Sequence, residues 1–154
     1  MDNILKNLVR VGNVCDIDEK AVRARVEFDD LEDTVSNWLP IGVRGTKSAK
    51  DYWMPDIGEQ VVCLFLPTGN ADGFILCSFY DDKELPPIGD KNKRYVRFSD
   101  GTVVEHDQGS GTLTVTSTGA VNINASSGDV VVNGISLVNH THPESIGTVT
   151  GPPG

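Results

Sequence analysis

Histidine is scarce in this chain: three residues in 154, at positions 106, 140 and 142. Positive charge is also in short supply, with 13 Lys and Arg against 22 Asp and Glu and a formal net charge of -9. Such a balance repels a polyanion unless the cations are gathered into one patch. The densest basic stretch, Lys91, Lys93, Arg94 and Arg97, is short, interleaved with Asp90 and Asp100, and reads as a solvated turn. Aromatic side chains are limited to two Trp, three Tyr and five Phe. Of these, Trp38, Phe65, Phe74 and Phe79 fall in apolar runs, which leaves few rings on which single-stranded bases could stack. Cysteine is sparse and odd in number. Cys15, Cys63 and Cys77 stand far apart, two of them inside apolar runs, so buried thiols are expected rather than disulfides. No apolar run approaches membrane-spanning length, and the opening "MDNILKNLVRVGN" has no apolar signal core. Synthesis in a reducing cytoplasm is the expectation.

Catalytic signals are missing too. The carboxylate pairs Asp29-Asp30 and Asp81-Asp82 sit in turn-like stretches, without an acid and base set together on an apolar background. His106, in "VVEHDQG" between Glu105 and Asp107, reads as a surface histidine near a turn. No cysteine carries a nucleophile motif. The chain is therefore expected to be no enzyme, with no catalytic residue and no small-molecule substrate.

Two patterns divide what is present. Residues 1–85 read as a compact all-β unit. After a short opening that could be helical (Ile4, Leu5, Leu8), Val9, Val11, Asn13, Cys15 and Ile17 share one parity, and Val22, Ala24, Val26 and Phe28 share another. Further strands are expected over 37–43, 61–66 and 73–79, between loops containing Gly and Asp. Five short strands suit a small closed barrel, since closure hides edges that a lone sheet would expose, and an OB-type barrel is the first choice. Residues 44–51 would form its long polar loop, and residues 86–94 a linker.

From Tyr95 onward turn signals recur: Asp100-Gly101, Gly109-Ser110-Gly111, Thr118-Gly119, Ser127-Gly128-Asp129 and Asn133-Gly134. Between them "TLTVTST", "AVNINAS" and "DVVVNG" alternate aliphatic with Thr or Asn, so each run offers about two apolar side chains to one face. A single copy cannot bury enough to offset the entropy of ordering it. Identical neighbours around a symmetry axis would supply the missing core, whereas a disordered Gly/Ser/Thr/Asn tail is the competing reading. The self-associating segment so expected covers 95–138, followed by a terminal stretch at 139–154.

In "VNHTHPESIG", His140 and His142 flank Thr141 and would share one face of an extended strand. Alone they make half a metal site, because structural zinc needs four ligands. Three chains meeting at an axis would bring six imidazoles together, an octahedral set for one divalent transition ion such as Fe²⁺. The plainer reading is a polar turn before Pro143. Ile135 and Leu137 have the opposite parity to both histidines, so either Val138 begins the inward face or the chain bends at Asn139.

Taken in order, "NWLPIGV", "WMPDIGEQVVCLFLPTGNADGFILCSFYDD", "YVRFSDGTVVEHDQGSGTLTV" and the final "HTH" resemble the baseplate assembly protein V family of contractile-tailed phages, whose relatives serve R-type bacteriocins and type VI secretion. The resemblance spans nearly the whole chain. It implies a homotrimeric central spike with an N-terminal OB-type barrel, a short intertwined trimeric β-helix and a metal-capped tip, where His140 and His142 of three subunits hold one iron ion. It further implies partners in the baseplate hub and tail tube, a place in the virion or bacteriocin particle, and a host cell envelope as the surface pierced. Some relatives carry a lysozyme-like domain between barrel and needle, for which residues 81–94 are too few. No nucleic acid is implied as a partner; an OB-fold nucleic-acid-binding protein is the alternative.

Overall fold

A computed structural model of the chain describes residues 7–29, 34–68, 71–142 and Gly151. The proposed helical opening at Ile4 and Leu5, and the segment 143–154 apart from Gly151, lie outside the described residues. The chain is all-β and divides into two units, Met1–Gly89 and Asp90–Gly154.

The first unit contains β1 (Val9–Asp18), β2 (Arg23–Phe28), β3 (Thr34–Val35), β4 (Leu39–Pro40), β5 (Gln60–Phe65) and β6 (Gly73–Ser78). β1 is the hub, antiparallel to β2 on one side and to β5 on the other. β5 continues into β6, and β2 also carries β3 and β4. Ile41, just beyond β4, bridges Ile75 of β6 in parallel, with the Gly42 N–H donating to the Ile75 carbonyl at 2.8 Å. That contact turns the open order into a closed ring, β4-β2-β1-β5-β6 and back to β4, which is the OB topology expected from the sequence. The strand expected over 37–43 is cut to two ladder residues and a bridge. Its far end is held instead by the Trp53 indole N–H, which donates to the Gly42 carbonyl at 2.9 Å. The polar loop after it is tied internally by the Arg44–Asp51 ion pair at 3.0 Å and a Thr46–Lys50 bridge.

Alternation places the core. Ala24, Val26 and Phe28 all point inward from β2, joined by Val61 and Cys63 from β5, Ile75 from β6, and Val14, Leu39 and Ile41. Phe28 meets the Phe65 ring edge-on at 5.8 Å and is covered by the Arg10 guanidinium, 3.7 Å from its centroid.

β1 departs from the expected parity. Its ladder with β2 slips between Val14 and Asp16, leaving Cys15 as the extra residue of a bulge. Before the bulge the even positions Gly12 and Val14 face inward and Val9 and Val11 face out; after it the odd Ile17 packs on the core. The bulge therefore reverses the face. Gly12 is required where β1 crosses β2, because a Cβ there would strike the Glu27 carbonyl and the Phe28 and Val26 side chains. Cys77, expected to be buried, is exposed for a similar reason: β5 and β6 slip between Val62 and Cys63, pairing Cys77 with the outward Val62.

Among the described residues, the second unit has two separate ladders. β7 (Lys93–Arg97), β8 (Val103–Asp107) and β9 (Thr112–Thr116) form an antiparallel meander. β10 (Val131–Val132) and β11 (Ile135–Ser136) form a hairpin. Lys93, Arg94 and Arg97, read from the sequence as part of a solvated turn, belong instead to β7, because each β7 residue finds a partner on β8. In the β10–β11 hairpin, Asn133 (φ 50°) and Gly134 (φ 82°) make the left-handed two-residue loop that Asn-Gly favours. "AVNINAS" forms no strand within the single chain, and Val121 and Ile123 lie exposed.

Candidate functional site

The two histidines follow the β10–β11 hairpin. β11 stops at Ser136 and the chain turns through 137–139. The Leu137 N–H donates back to the Val130 carbonyl at 2.9 Å, and the Asn139 N–H donates to Ser136 Oγ at 2.7 Å. Of the two readings left open by parity, the bend is the one found. His140 and His142 are thus not on an extended strand, yet their rings remain together, with centroids 5.1 Å apart and planes at 88°.

His140 Nδ1 lies 2.9 Å from the Ser136 carbonyl. A carbonyl only accepts, so Nδ1 carries the hydrogen and Nε2 of the neutral ring keeps its lone pair for a ligand. A backbone carbonyl holding the second nitrogen is the usual way a metal-binding imidazole is oriented. His140 is half-buried and His142 exposed. Among the described residues, no three His, Cys, Asp or Glu side chains are grouped to hold a metal ion. One chain therefore brings two nitrogen donors, a chemistry that fits a divalent transition ion only if other chains complete the set.

The other residues weighed from sequence do not converge. His106 is exposed on β8 opposite Arg94 and Leu113. Its sequence neighbours serve elsewhere: Glu105 accepts from Lys93 Nζ at 2.9 Å, and Asp107 Oδ1 accepts the Gly109 and Ser110 N–H groups. Those bonds hold the Asp107 carboxyl below the usual carboxylate range. Asp81 accepts the Glu84 and Lys83 N–H groups in a turn, with the same effect on its carboxyl. Asp29 is exposed, and Asp30 lies outside the described residues. Alternation along β7 sets Lys93 and Arg97 on one face and Arg94 on the other, which splits the basic run.

Besides the exposure of Cys77, sequence parity missed that Val9 and Val11 face outward. The signal for it was Gly12, since a lone glycine inside a strand pattern marks close backbone approach and hence an inward even parity.

Residues 10–80 match the family described as the type VI secretion system/phage-baseplate injector OB domain. The chain is also similar to the spike protein of Escherichia phage P2, at 27% identity over 122 residues, covering 79% of this chain. Those residues span 56% of that relative, so the match takes in little more than half of its length. Both findings bear out the resemblance to the phage baseplate assembly protein V family.

Proposed function

We propose that this chain is the central spike of a contractile-tail baseplate, a homotrimer whose C-terminal halves wind into a needle that is driven against a cell envelope. The observation carrying this reading is the unfinished state of the second unit. Val96, Phe98, Leu113, Val115, Val121 and Ile123 are all exposed in one chain. In the β7–β8–β9 meander one face carries Val96, Val104, Leu113 and Val115 with Arg94 and His106 at one end, while the other carries Tyr95, Val103, the Lys93–Glu105 pair and the β9 threonines. Three copies turned apolar face inward would bury the first set and leave hydrated Thr and Asn outside, a shaft that does not stick to what it crosses. The open edge of β9 and the unpaired "AVNINAS" run would find their partners in neighbouring chains.

At the apex, His140 and His142 of three chains would hold one divalent transition ion such as Fe²⁺. When bound, the ion cross-links three chain ends where fraying would otherwise begin. The Ser136 carbonyl fixes the His140 ring for that task. Baseplate hub and tail tube are the partners on this reading, with the virion or a bacteriocin particle as the location.

Mass measurement under native conditions followed by elemental analysis tests both parts. The expected result is a trimer with about one transition-metal ion per three chains, lost in the His140→Ala, His142→Ala double variant. A monomer at all concentrations sinks the spike reading. A trimer whose metal content is unchanged in the double variant sinks the tip assignment alone.

A further inference from the structure

The barrel carries a second apolar surface, on its outside. β1, β5 and β6 lie side by side, and their outward residues meet across the ladders: Val9 opposite Leu64, Leu64 opposite Phe74, Val11 opposite Val62, and Val62 opposite Cys77. Val9 is 58% exposed, Val11 44%, Phe74 40% and Leu76 47%. No charged residue enters these rows, although 23% of the chain is charged. Single exposed aliphatics are ordinary, but a continuous strip across three strands marks an interface.

We propose that this strip is covered by neighbouring copies of the same chain, three strips facing one another as the C-terminal halves assemble. The inference rests on the trimer reading above. Two physical arguments favour a second copy over a separate partner. Only residues 79–92 separate the end of β6 from the start of β7, and fully extended they reach at most about 50 Å. Barrels joined through a common C-terminal assembly are therefore held at a mutual effective concentration in the millimolar range, which a free partner does not match. Charge points the same way. Copies of a chain with a net charge of -9 repel one another over most surfaces, and an uncharged aliphatic strip is where they can meet without setting carboxylates together.

The chain contains its own reporter. Cys77 is exposed within the strip, whereas Cys15 is half-buried and Cys63 is buried, its thiol pushed up to about 11 by desolvation. Alkylation of the intact native protein by iodoacetamide, followed peptide by peptide in a mass spectrometer, reads coverage of the strip beside the native mass. In the trimer, Cys77 is expected to react at least about ten-fold more slowly than free glutathione, while Val11→Lys, Leu76→Lys restores the rate by setting like charges face to face. A trimer in which Cys77 reacts at the free rate overturns the inference and leaves the trimer standing. Protection that persists in a trimeric Val11→Lys, Leu76→Lys variant also overturns it, since the shielding would then be local to the barrel. A monomer overturns the trimer reading and this inference together.

Discussion

The barrel and the C-terminal unit are made of similar alternating strands, yet one completes its core within a single chain and the other does not. In β2 every second residue disappears from solvent, whereas all five residues of β9 remain exposed. The difference is not strand propensity, since Val is plentiful in both. It is closure. The barrel curls until inward faces of five strands share one interior, while the β7–β8–β9 meander leaves Val96, Leu113 and Val115 exposed in the single chain. Alternation makes a strand, but only a second layer makes it stable.

Substitutions on each side can break or sharpen this contrast. The largest effect is expected from Phe28→Ala, which removes a fully buried ring and should cost the barrel about 3–5 kcal/mol. Fluorescence of Trp38 and Trp53, both in the first unit, follows the denaturant midpoint. A loss of similar size from Leu113→Ala in the monomeric chain would erase the contrast. Gly12→Ala comes next, at about 1–3 kcal/mol, because the added methyl has no room at the β1–β2 crossing. The same tryptophan midpoint reads it. Val115→Asn should then leave the barrel midpoint within about 0.5 kcal/mol of the parent, as for other surface changes. On the proposed trimer reading it should nonetheless raise the protein concentration needed for assembly, measured by light scattering.

The smallest effect is that of pH on the turns of the second unit. Asp100 is held below the ordinary carboxylate range by the Thr102 N–H and hydroxyl, and Asp107 by the Gly109 and Ser110 N–H groups. A carboxyl depressed in the folded state stabilises above its unfolded value and loses that contribution as pH falls through the folded one. Acid should therefore loosen the β7–β8 and β8–β9 turns, visible as faster amide exchange at Thr102 and Gly109. Asp100→Asn should remove the acid dependence at Thr102 only.

Much of the barrel was legible because burial on one face writes itself into sequence with period two. Ala24, Val26 and Phe28 declared the core, and Asn133-Gly134 declared a turn, which the structure places in the β10–β11 hairpin. What stayed hidden were features set by neighbours rather than by pattern. Two bulges, at Cys15 and beside Val62, reversed the faces of Val9, Val11 and Cys77, and no local signal announces a ladder slip except the glycine at 12. "AVNINAS" looked like a strand and is none in one chain, since a strand needs an edge beside it. The histidines were visible as a pair, but the turn that orients them depends on Ser136, whose hydroxyl accepts from the Asn139 amide and whose carbonyl accepts from the His140 ring.

The barrel ring is joined unevenly. Four of its junctions are antiparallel ladders of two or more residue pairs, while the fifth is the parallel Ile41–Ile75 bridge with one amide bond from Gly42. Under mechanical load that seam is the natural place for the ring to part first, letting the barrel yield and spring back without unthreading β1. Earlier hydrogen exchange at the Gly42 amide than at Val62 would be its signature.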